Sequence, residues 1–308
     1  MRKLLTIVLF ISTLKFVSQE LFPNTDPASI VPARILGIRL MNEAYKEVDQ
    51  YRIWQGAMFM YGINKKIMFT STISFSNHHG LKLPDDFISN DGNIGDHTHG
   101  ITKGNQYPYR YESIGLGFRY RFLNIDEHHR HLRMAAYGNG VYSNQVHDEA
   151  ETNLMGDNTG VGGGIITTYL IKKLAISLTA GATVPRAYVD NATNVKLKYG
   201  NAYNYSLSFG YLLFPFKYSN YNQTNVNIYS EFMGKSYDGM NIYKDGKSIL
   251  IDNVPSFEKG NYIDWRPAIQ FIVKSNLRID ISGTFSLIRR SFVRTYPVCN
   301  VNVQYYFF

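Results

Sequence analysis

Apolar and polar side chains alternate over long stretches of this chain. In the segment 114–122 ("IGLGFRYRF"), an apolar residue occupies every second position, with glycine or arginine between. The segments 203–211 and 277–287 repeat the pattern with Ser, Asn, Asp and Arg at the intervening positions. Because consecutive side chains of a strand point to opposite faces, this alternation predicts β-strands with one apolar and one polar face.

The chain ends on the same pattern, in "VCNVNVQYYFF". Odd positions from 299 to 307 carry Cys, Val, Val, Tyr and Phe, whereas even positions from 300 to 306 carry Asn, Asn, Gln and Tyr. We expect this strand to pair with the first one, which would leave no open sheet edge. Its odd positions would then face lipid, and Phe308 would lie one position out of that register.

Twelve such extended segments are predicted, each bounded by Asn, Gly, Asp, Lys or Pro. Each has about the ten residues, or slightly more, that a tilted strand needs to cross a bilayer. The predicted strands cover 33–47, 51–63, 67–77, 109–124, 130–145, 158–172, 174–188, 200–216, 223–237, 260–274, 276–288 and 296–308.

The connections between these strands alternate in length. The tight ones are 64–66, 125–129, 173, 217–222 and 275. The long ones are 78–108, 146–157, 189–199 and 238–259. Short turns at one end and long loops at the other are typical of outer-membrane barrels, and twelve strands put both termini at the short-turn end.

Aromatic residues argue against the alternative of a soluble β-sandwich, whose inward faces would be dominated by Val, Ile and Leu. The chain has 24 Tyr and 19 Phe, and many aromatics fall near predicted strand ends, as expected of interfacial girdles. These are Trp54, Tyr61, Tyr109, Tyr111, Tyr137, Tyr203, Tyr211, Trp265 and Tyr305. The sequence therefore predicts an all-β fold, a transmembrane antiparallel up-and-down β-barrel of about twelve strands.

The first residues have the features of a secretory signal peptide. Met1-Arg2-Lys3 is basic, and residues 4–10 ("LLTIVLF") form a short apolar run. We predict a signal peptide over 1–19 and a single barrel domain over 20–308; a buried N-terminal helix is the alternative. The expected location is the outer membrane, and the expected partners are its lipid and the barrel insertion machinery.

Charge and cysteine content exclude other classes. The net charge is +8, but Lys and Arg are scattered and form no basic run, so no nucleic-acid partner is expected. The single cysteine excludes an intramolecular disulfide framework.

Several stretches resemble an uncharacterised family of Bacteroidota outer-membrane β-barrel proteins, which are often described as transporters. The resemblance covers most of the chain after the predicted signal. It implies the fold and the location but not the solute. The stretches are "PNTDPASIVPARILGIRLMNE", "HLRMAAYGNGVYSN", "NAYNYSLSFGYLLFP" and "RPAIQFIVKSNLRIDIS".

The inward register of the predicted strands collects charged residues. They would form either an ion-pair network that fills a narrow barrel or a surface that favours anionic solutes. Carboxylates from later strands could pair with earlier arginines only by reaching across the lumen. The predicted lumen-lining charges are Arg39, Arg119, Arg121, Arg133, Glu231, Lys235, Asp264, Arg266, Arg278 and Asp280.

Histidines in the loop 78–108 form a weak candidate metal site. His78, His79, His97 and His99 share this loop with several aspartates, and imidazole with carboxylate suits Zn(II), Cu(II) or Ni(II). The wide spacing is unlike a compact zinc signature, so a solvated polar loop is the alternative. No cofactor is predicted.

No enzymatic motif is found. The chain lacks a G-x-S-x-G elbow, and the glycines between 160 and 164 lack the Lys-Ser/Thr and the helix of a phosphate-binding loop. Glycines within a strand more often mark curvature or close packing. We therefore expect a channel or transporter for small solutes, not an enzyme. The alternative is a non-conducting structural or adhesive barrel with a side-chain-filled lumen.

Overall fold

A computed structural model describes residues 22–47, 50–77, 108–143, 160–191, 194–217, 223–249, 258–290 and 298–307. Three predictions fall outside these residues: the signal peptide over 1–19, the loop histidines His78, His79, His97 and His99, and the position of Phe308. Among the residues described, no helix is long and apolar enough to cross a membrane.

Twelve antiparallel strands form a closed barrel, as predicted. Each barrel strand pairs with its neighbours along the chain, and the last pairs with the first. Their bounds are β1 (Leu36–Glu47), β2 (Gln50–Gly62), β3 (Ile67–Ser76), β4 (Arg110–Glu127), β5 (Arg130–Ser143), β6 (Gly160–Ile171), β7 (Leu174–Pro185), β10 (Ala202–Phe214), β11 (Asn225–Tyr237), β14 (Gly260–Val273), β15 (Leu277–Arg290) and β16 (Val298–Phe307).

The barrel closes between β1 and β16, where Leu36 lies opposite Phe307 and Ala44 opposite Cys299. Along β16, Asn300, Asn302 and Gln304 are buried in the interior. Tyr305 and Phe307 are exposed on the outer surface. The final strand thus has the predicted register and leaves the sheet without an open edge.

The outer surface of the barrel is apolar. Leu116, Phe118 and Leu178, for example, are each more than half exposed. A continuous apolar exterior around a polar interior is stable only where lipid replaces water on the outside.

Two of the proposed girdle aromatics face inward instead. Trp54 on β2 is only 3% exposed, and Tyr137 on β5 packs against the buried Ala28, Ala135 and Ile166. Their expected place in the girdle was wrong, because both lie on the inward face of their strands: Trp54 shares that face of β2 with Met58, and Tyr137 shares that of β5 with Ala135.

Two of the long connections contain a small second sheet. Its four short strands are β8 (Tyr188–Asp190), β9 (Val195–Lys198), β12 (Asn241–Lys244) and β13 (Lys247–Ile249). They pair in the order β13, β12, β9, β8 around the buried Val195, Leu197 and Ile242. The β12–β13 turn is Asp245-Gly246, both at positive φ, as two-residue hairpins require. Apart from Tyr188, these residues were predicted as loops.

Residues 22–33, which we call the inner segment, lie inside the barrel before β1 begins. Pro23, Pro27 and Pro32 keep most of the segment out of regular strand structure. The segment reaches the barrel wall beside Gly62. A Cβ atom added at Gly62 would lie 2.1 Å from the Pro32 carbonyl oxygen. Only glycine permits so close an approach of the two backbones.

Candidate functional site

The inner segment crosses the lumen and bonds to groups on most of the barrel wall. Its backbone and side chains meet strands from both halves of the sequence, so it acts as a cross-brace. Its hydrogen-bond partners on the wall are Arg39, Met68, Arg119, Arg133, Thr168, Ser208, Glu231, Arg278, Ser282 and Asn302.

Glu231 on β11 holds the start of the segment with both carboxylate oxygens. One oxygen accepts from the backbone NH of Asn24 at 3.0 Å and from its side-chain amide at 2.6 Å. The other accepts from the backbone NH of Thr25 at 3.0 Å and from its hydroxyl at 2.7 Å. Four donors on one fully buried carboxylate satisfy the charge without a cation in direct contact.

Arg119 on β4 holds the middle of the segment. Its guanidinium lies 2.6 Å from the Asp26 carboxylate and donates to the carbonyl oxygens of Pro27 at 2.9 Å and Ser29 at 3.2 Å. The Asp26 side chain faces a cavity inside the barrel, and this enclosure by itself would raise its pKa. Arg119, with the charges of Arg39 and Arg278, instead holds that pKa below its usual range. Asp26 is therefore an anion at neutral pH.

Arg133 on β5 joins the segment to the short-turn end of the barrel. It donates to the Ser29 hydroxyl at 2.8 Å and to the Asn124 side chain at 3.0 Å. It also lies 3.1 Å from the Asp126 carboxylate.

Arg278, Asp280 and Arg39 form a third polar group. Arg278 lies 2.7 Å from the Asp280 carboxylate and donates to the Phe22 carbonyl oxygen at 2.7 Å. Arg39 donates to the carbonyl oxygen of Pro23 and lies 3.8 Å from Asp280. The three side chains thus fix the first two residues of the inner segment.

Apolar contacts hold the later part of the segment. Ile30 and Val31 pack with Met60, Met68 and Tyr306 in a buried cluster. This cluster explains why β2 has apolar residues on both faces: the outer face meets lipid and part of the inner face is covered by the inner segment.

Most of the predicted lumen charges are buried in the interior. These are Glu231, Lys235, Asp264, Arg266, Arg278, Asp280, Arg119 and Arg133, of which the most exposed are only 6% exposed. The side chain of Arg39 is 11% exposed. Arg121 is partly exposed at the short-turn end, where it donates to the Lys65 carbonyl oxygen at 2.7 Å.

Two of the predicted lumen carboxylates pair with arginines on their own strands. Asp264 pairs with Arg266 at 3.3 Å, and Asp280 pairs with Arg278, in each case two residues away on the same strand. Residues at i and i+2 share a face of a strand, which makes these pairs local. The group that spans the lumen is the inner segment.

A cavity of about 330 Å³ lies against the inner segment and extends toward the long-loop ends of β4 and β6. Asn24, Thr25 and Asp26 line it on the side of the segment. Hydroxyl and amide groups such as Thr70, Thr183 and Asn204 are prominent on its walls. Its charged lining residues are Arg39, Arg119, Lys235, Arg266 and Asp26.

Glycines widen the lumen on its β4 to β7 side. On β7, a Cβ atom at Gly181 would lie 2.1 Å from the Tyr137 hydroxyl, so the ring lies flat against the wall there. The glycine-rich start of β6 therefore belongs to close packing around the cavity.

Sequence reasoning missed Asn24, Thr25, Asp26 and Ser29 as lumen residues. The available signal was a polar stretch interrupted by three prolines directly before the first strand, which excludes both helix and ladder pairing.

As for metals, no group of three or more His, Cys, Asp or Glu side chains that could hold an ion occurs within the described ranges.

No family model matches the chain, and no curated protein matches it. Among solved structures, the COG4313 outer membrane channel from Pseudomonas putida F1 is similar at 13% identity with a TM-score of 0.52, covering 94% of this chain and all of that one. The NanC porin aligns at 7% identity with a TM-score of 0.48 over 88% of this chain and 98% of its own. With its closed sheet and apolar exterior, the chain is a twelve-stranded β-barrel of the outer membrane.

Proposed function

We propose that this protein is an outer-membrane channel or transporter for small solutes whose lumen favours anions. One observation carries the proposal: the charged side chains that line the cavity are Arg39, Arg119, Lys235 and Arg266 with one carboxylate, Asp26. The carboxylates near Arg39 and Arg266, Asp280 and Asp264, are not part of that lining. An excess of fixed positive charge in a low-dielectric channel concentrates anions and repels cations. The resemblance to Bacteroidota barrel proteins described as transporters agrees with this function.

The inner segment must move for solutes to pass its part of the lumen. Many of its contacts are hydrogen bonds, such as those to Arg119, Glu231 and Arg278. Water can replace such bonds, so each contributes only about 0.5–1.5 kcal/mol net, or somewhat more where a charge takes part. The barrel wall, in contrast, is held by continuous backbone ladders. The segment can therefore leave its site while the barrel stays closed.

The test is single-channel recording in planar bilayers, comparing the wild type with an internal deletion of residues 22–31. We expect the deletion to raise the conductance several-fold, because it removes the cross-brace and leaves Gly62 and the strands intact. Under a KCl gradient, the reversal potential of the deletion variant should indicate anion preference. Silence of both proteins, or cation preference in the deletion variant, would contradict the proposal.

A second candidate is a non-conducting structural or adhesive barrel, and the inner segment itself favours it. A segment bonded to Arg39, Arg119, Glu231 and Arg278 could serve only to fill the lumen and rigidify the wall. The same recordings separate the two functions. A wild type that stays closed at every voltage and with every solute tested, together with a deletion variant that unfolds, would favour the filled barrel.

A further inference from the structure

One guanidinium group contacts the carboxylate of Asp26, and two others act on it by their charge. Arg119 lies 2.6 Å from it, and the charges of Arg39 and Arg278 also act on it. The latter two hold the adjoining Pro23 and Phe22 carbonyl groups. Guanidinium groups recognise carboxylates by charge and by paired hydrogen bonds. The chain has built a carboxylate-binding site and occupies it with its own side chain.

The charge balance of this cluster depends on Asp26. Arg39, Arg119 and Arg278 supply three positive charges, and Asp280 and Asp26 supply two negative ones, so the cluster carries +1. If Asp26 left, the same arginines would face Asp280 alone, and the cluster would carry +2. Uncompensated buried charge is costly, so an anion from the cavity would be bound in place of Asp26.

The cavity gives such an anion access to the ion pair between Asp26 and Arg119. The Asp26 side chain is 59% exposed, and the space it faces is the cavity, whereas the Arg119 side chain is only 7% exposed. An incoming carboxylate can therefore compete for the outward side of the Arg119 guanidinium before the inner segment moves.

The wall next to Arg119 carries hydroxyl and amide groups. Gly117, the next inward position on β4, pairs with Thr70 on β3 and Asn139 on β5. Gly115 and Gly117 both line the cavity, and the Thr70 hydroxyl lies only 2.6 Å from where a Cβ atom of Gly117 would be. A volume of about 330 Å³ is at the small end of ligand pockets. This combination suits a small acid that carries several hydroxyl groups.

We propose that Arg119 and Arg39, with the charge of Arg278 behind them, form the binding site for the carboxylate of a small polyhydroxylated acid, and that Asp26 is its internal competitor. The inference rests on the proposed transport function and names its solute class. Binding of the acid replaces the bond between Asp26 and Arg119 and so weakens the hold on the inner segment. By thermodynamic linkage, release of the segment strengthens binding of the acid to the same extent.

The test is isothermal titration of the detergent-solubilised full chain with gluconate, and with glucose as the uncharged comparison. Asp26→Asn should bind gluconate at least tenfold more tightly than the wild type, about 1.4 kcal/mol, because the competing charge is gone. Glucose should bind neither protein measurably. Asp245→Asn, which removes an exposed carboxylate in the β12–β13 turn, should behave as the wild type.

Adding Arg119→Gln to Asp26→Asn should abolish the gain, and Arg119→Lys should restore only part of it, because an ammonium lacks the paired donors. Equal gluconate affinity in the wild type and Asp26→Asn would overturn the inference.

Titration needs no current, so the two proposals can fail separately. If Asp26→Asn binds gluconate more tightly but the 22–31 deletion does not conduct, only the transport function is refuted. If the deletion conducts but Asp26→Asn binds gluconate no better than the wild type, only the binding site is refuted.

Discussion

At the scale of single residues, the lumen is organised around charges that bind backbone. Glu231, Arg119 and Arg278 each bond to main-chain groups of the inner segment as well as to side chains. An extended segment interrupted by prolines has backbone groups with no ladder partner, and these groups need partners when buried. The buried charges supply them, which accounts for charged residues in the interior of so narrow a barrel.

Substituting Glu231 by Gln tests this organisation. One of the two oxygens becomes an NH₂ group that faces the donors of Asn24 or Thr25, and we expect docking of the segment to weaken by about 2 kcal/mol. In a Cys299→Ser background, a thiol placed at the buried Ser29 should then react with a maleimide roughly 30-fold faster, since 1.4 kcal/mol is tenfold.

Glu127→Gln is the matched control for this measurement. Glu127 lies exposed at the short-turn end of β4, and its substitution should leave the reaction rate at Ser29 unchanged. Equal rates in the Glu231→Gln and control proteins would show that the carboxylate does not hold the segment.

At the scale of elements, the barrel strands were predictable and the interior was not. Alternation in β4, β10 and β15 and the lengths of their connections are local properties, so they appear directly in the sequence. The inner segment has no periodicity, and β8 and β13 have only three residues each. Such elements exist because of their tertiary partners, which a local pattern does not contain.

For the lumen residues too, one property could be predicted from the local sequence pattern and another could not. The inward register of Arg119, Glu231 and Arg278 follows from alternation, but their partners do not. Asn24 and Thr25 lie about two hundred residues from Glu231 in sequence, and nothing in the local pattern relates them. Trp54 was assigned to the outer girdle because β2 has apolar residues on both faces, so alternation alone does not show which face is inward.

Gly62 gives a prediction at this scale. In Gly62→Ala, the new methyl group would meet the Pro32 carbonyl oxygen at 2.1 Å, so β2 and the inner segment must separate. We expect a loss of about 1–3 kcal/mol in the free energy of unfolding, measured by denaturant titration in detergent.

Gly115→Ala is the matched control, because its Cβ would lie 3.5 Å from the nearest atom, a side-chain carbon of Val141, which is ordinary contact. Its stability should change by well under about 1 kcal/mol. If both variants lost the same stability, the close approach at Gly62 would not be the cause.

At the scale of the whole molecule, the ends of the barrel differ. The small sheet of β8, β9, β12 and β13 extends the long-loop end, whereas turns such as residues 63–66 close the other end. In outer-membrane barrels the long loops are extracellular and the short turns periplasmic. The inner segment enters beside the short turn after β2, so it approaches the lumen from the periplasmic side.

Cysteine labelling on intact cells tests this orientation. In the Cys299→Ser background, Asp245→Cys in the β12–β13 turn should react with a membrane-impermeant maleimide. Lys65→Cys in the turn between β2 and β3 should react only after the cells are permeabilised. Both positions are exposed, so accessibility to the reagent decides the result, and reversed labelling would invert the topology.

The separation in sequence between the inner segment and its partners also sets an order of events in time. Pro23 bonds to Asn302 and Phe22 to Arg278, contacts that span 279 and 256 positions. These bonds cannot form until the last strands of the chain are in place, and contacts of such long range form late. The seam between β1 and β16 depends on the same last strands, since Leu36 pairs with Phe307. Docking of the segment and closure of the wall therefore share their final requirement, and a chain that stops before β15 can complete neither.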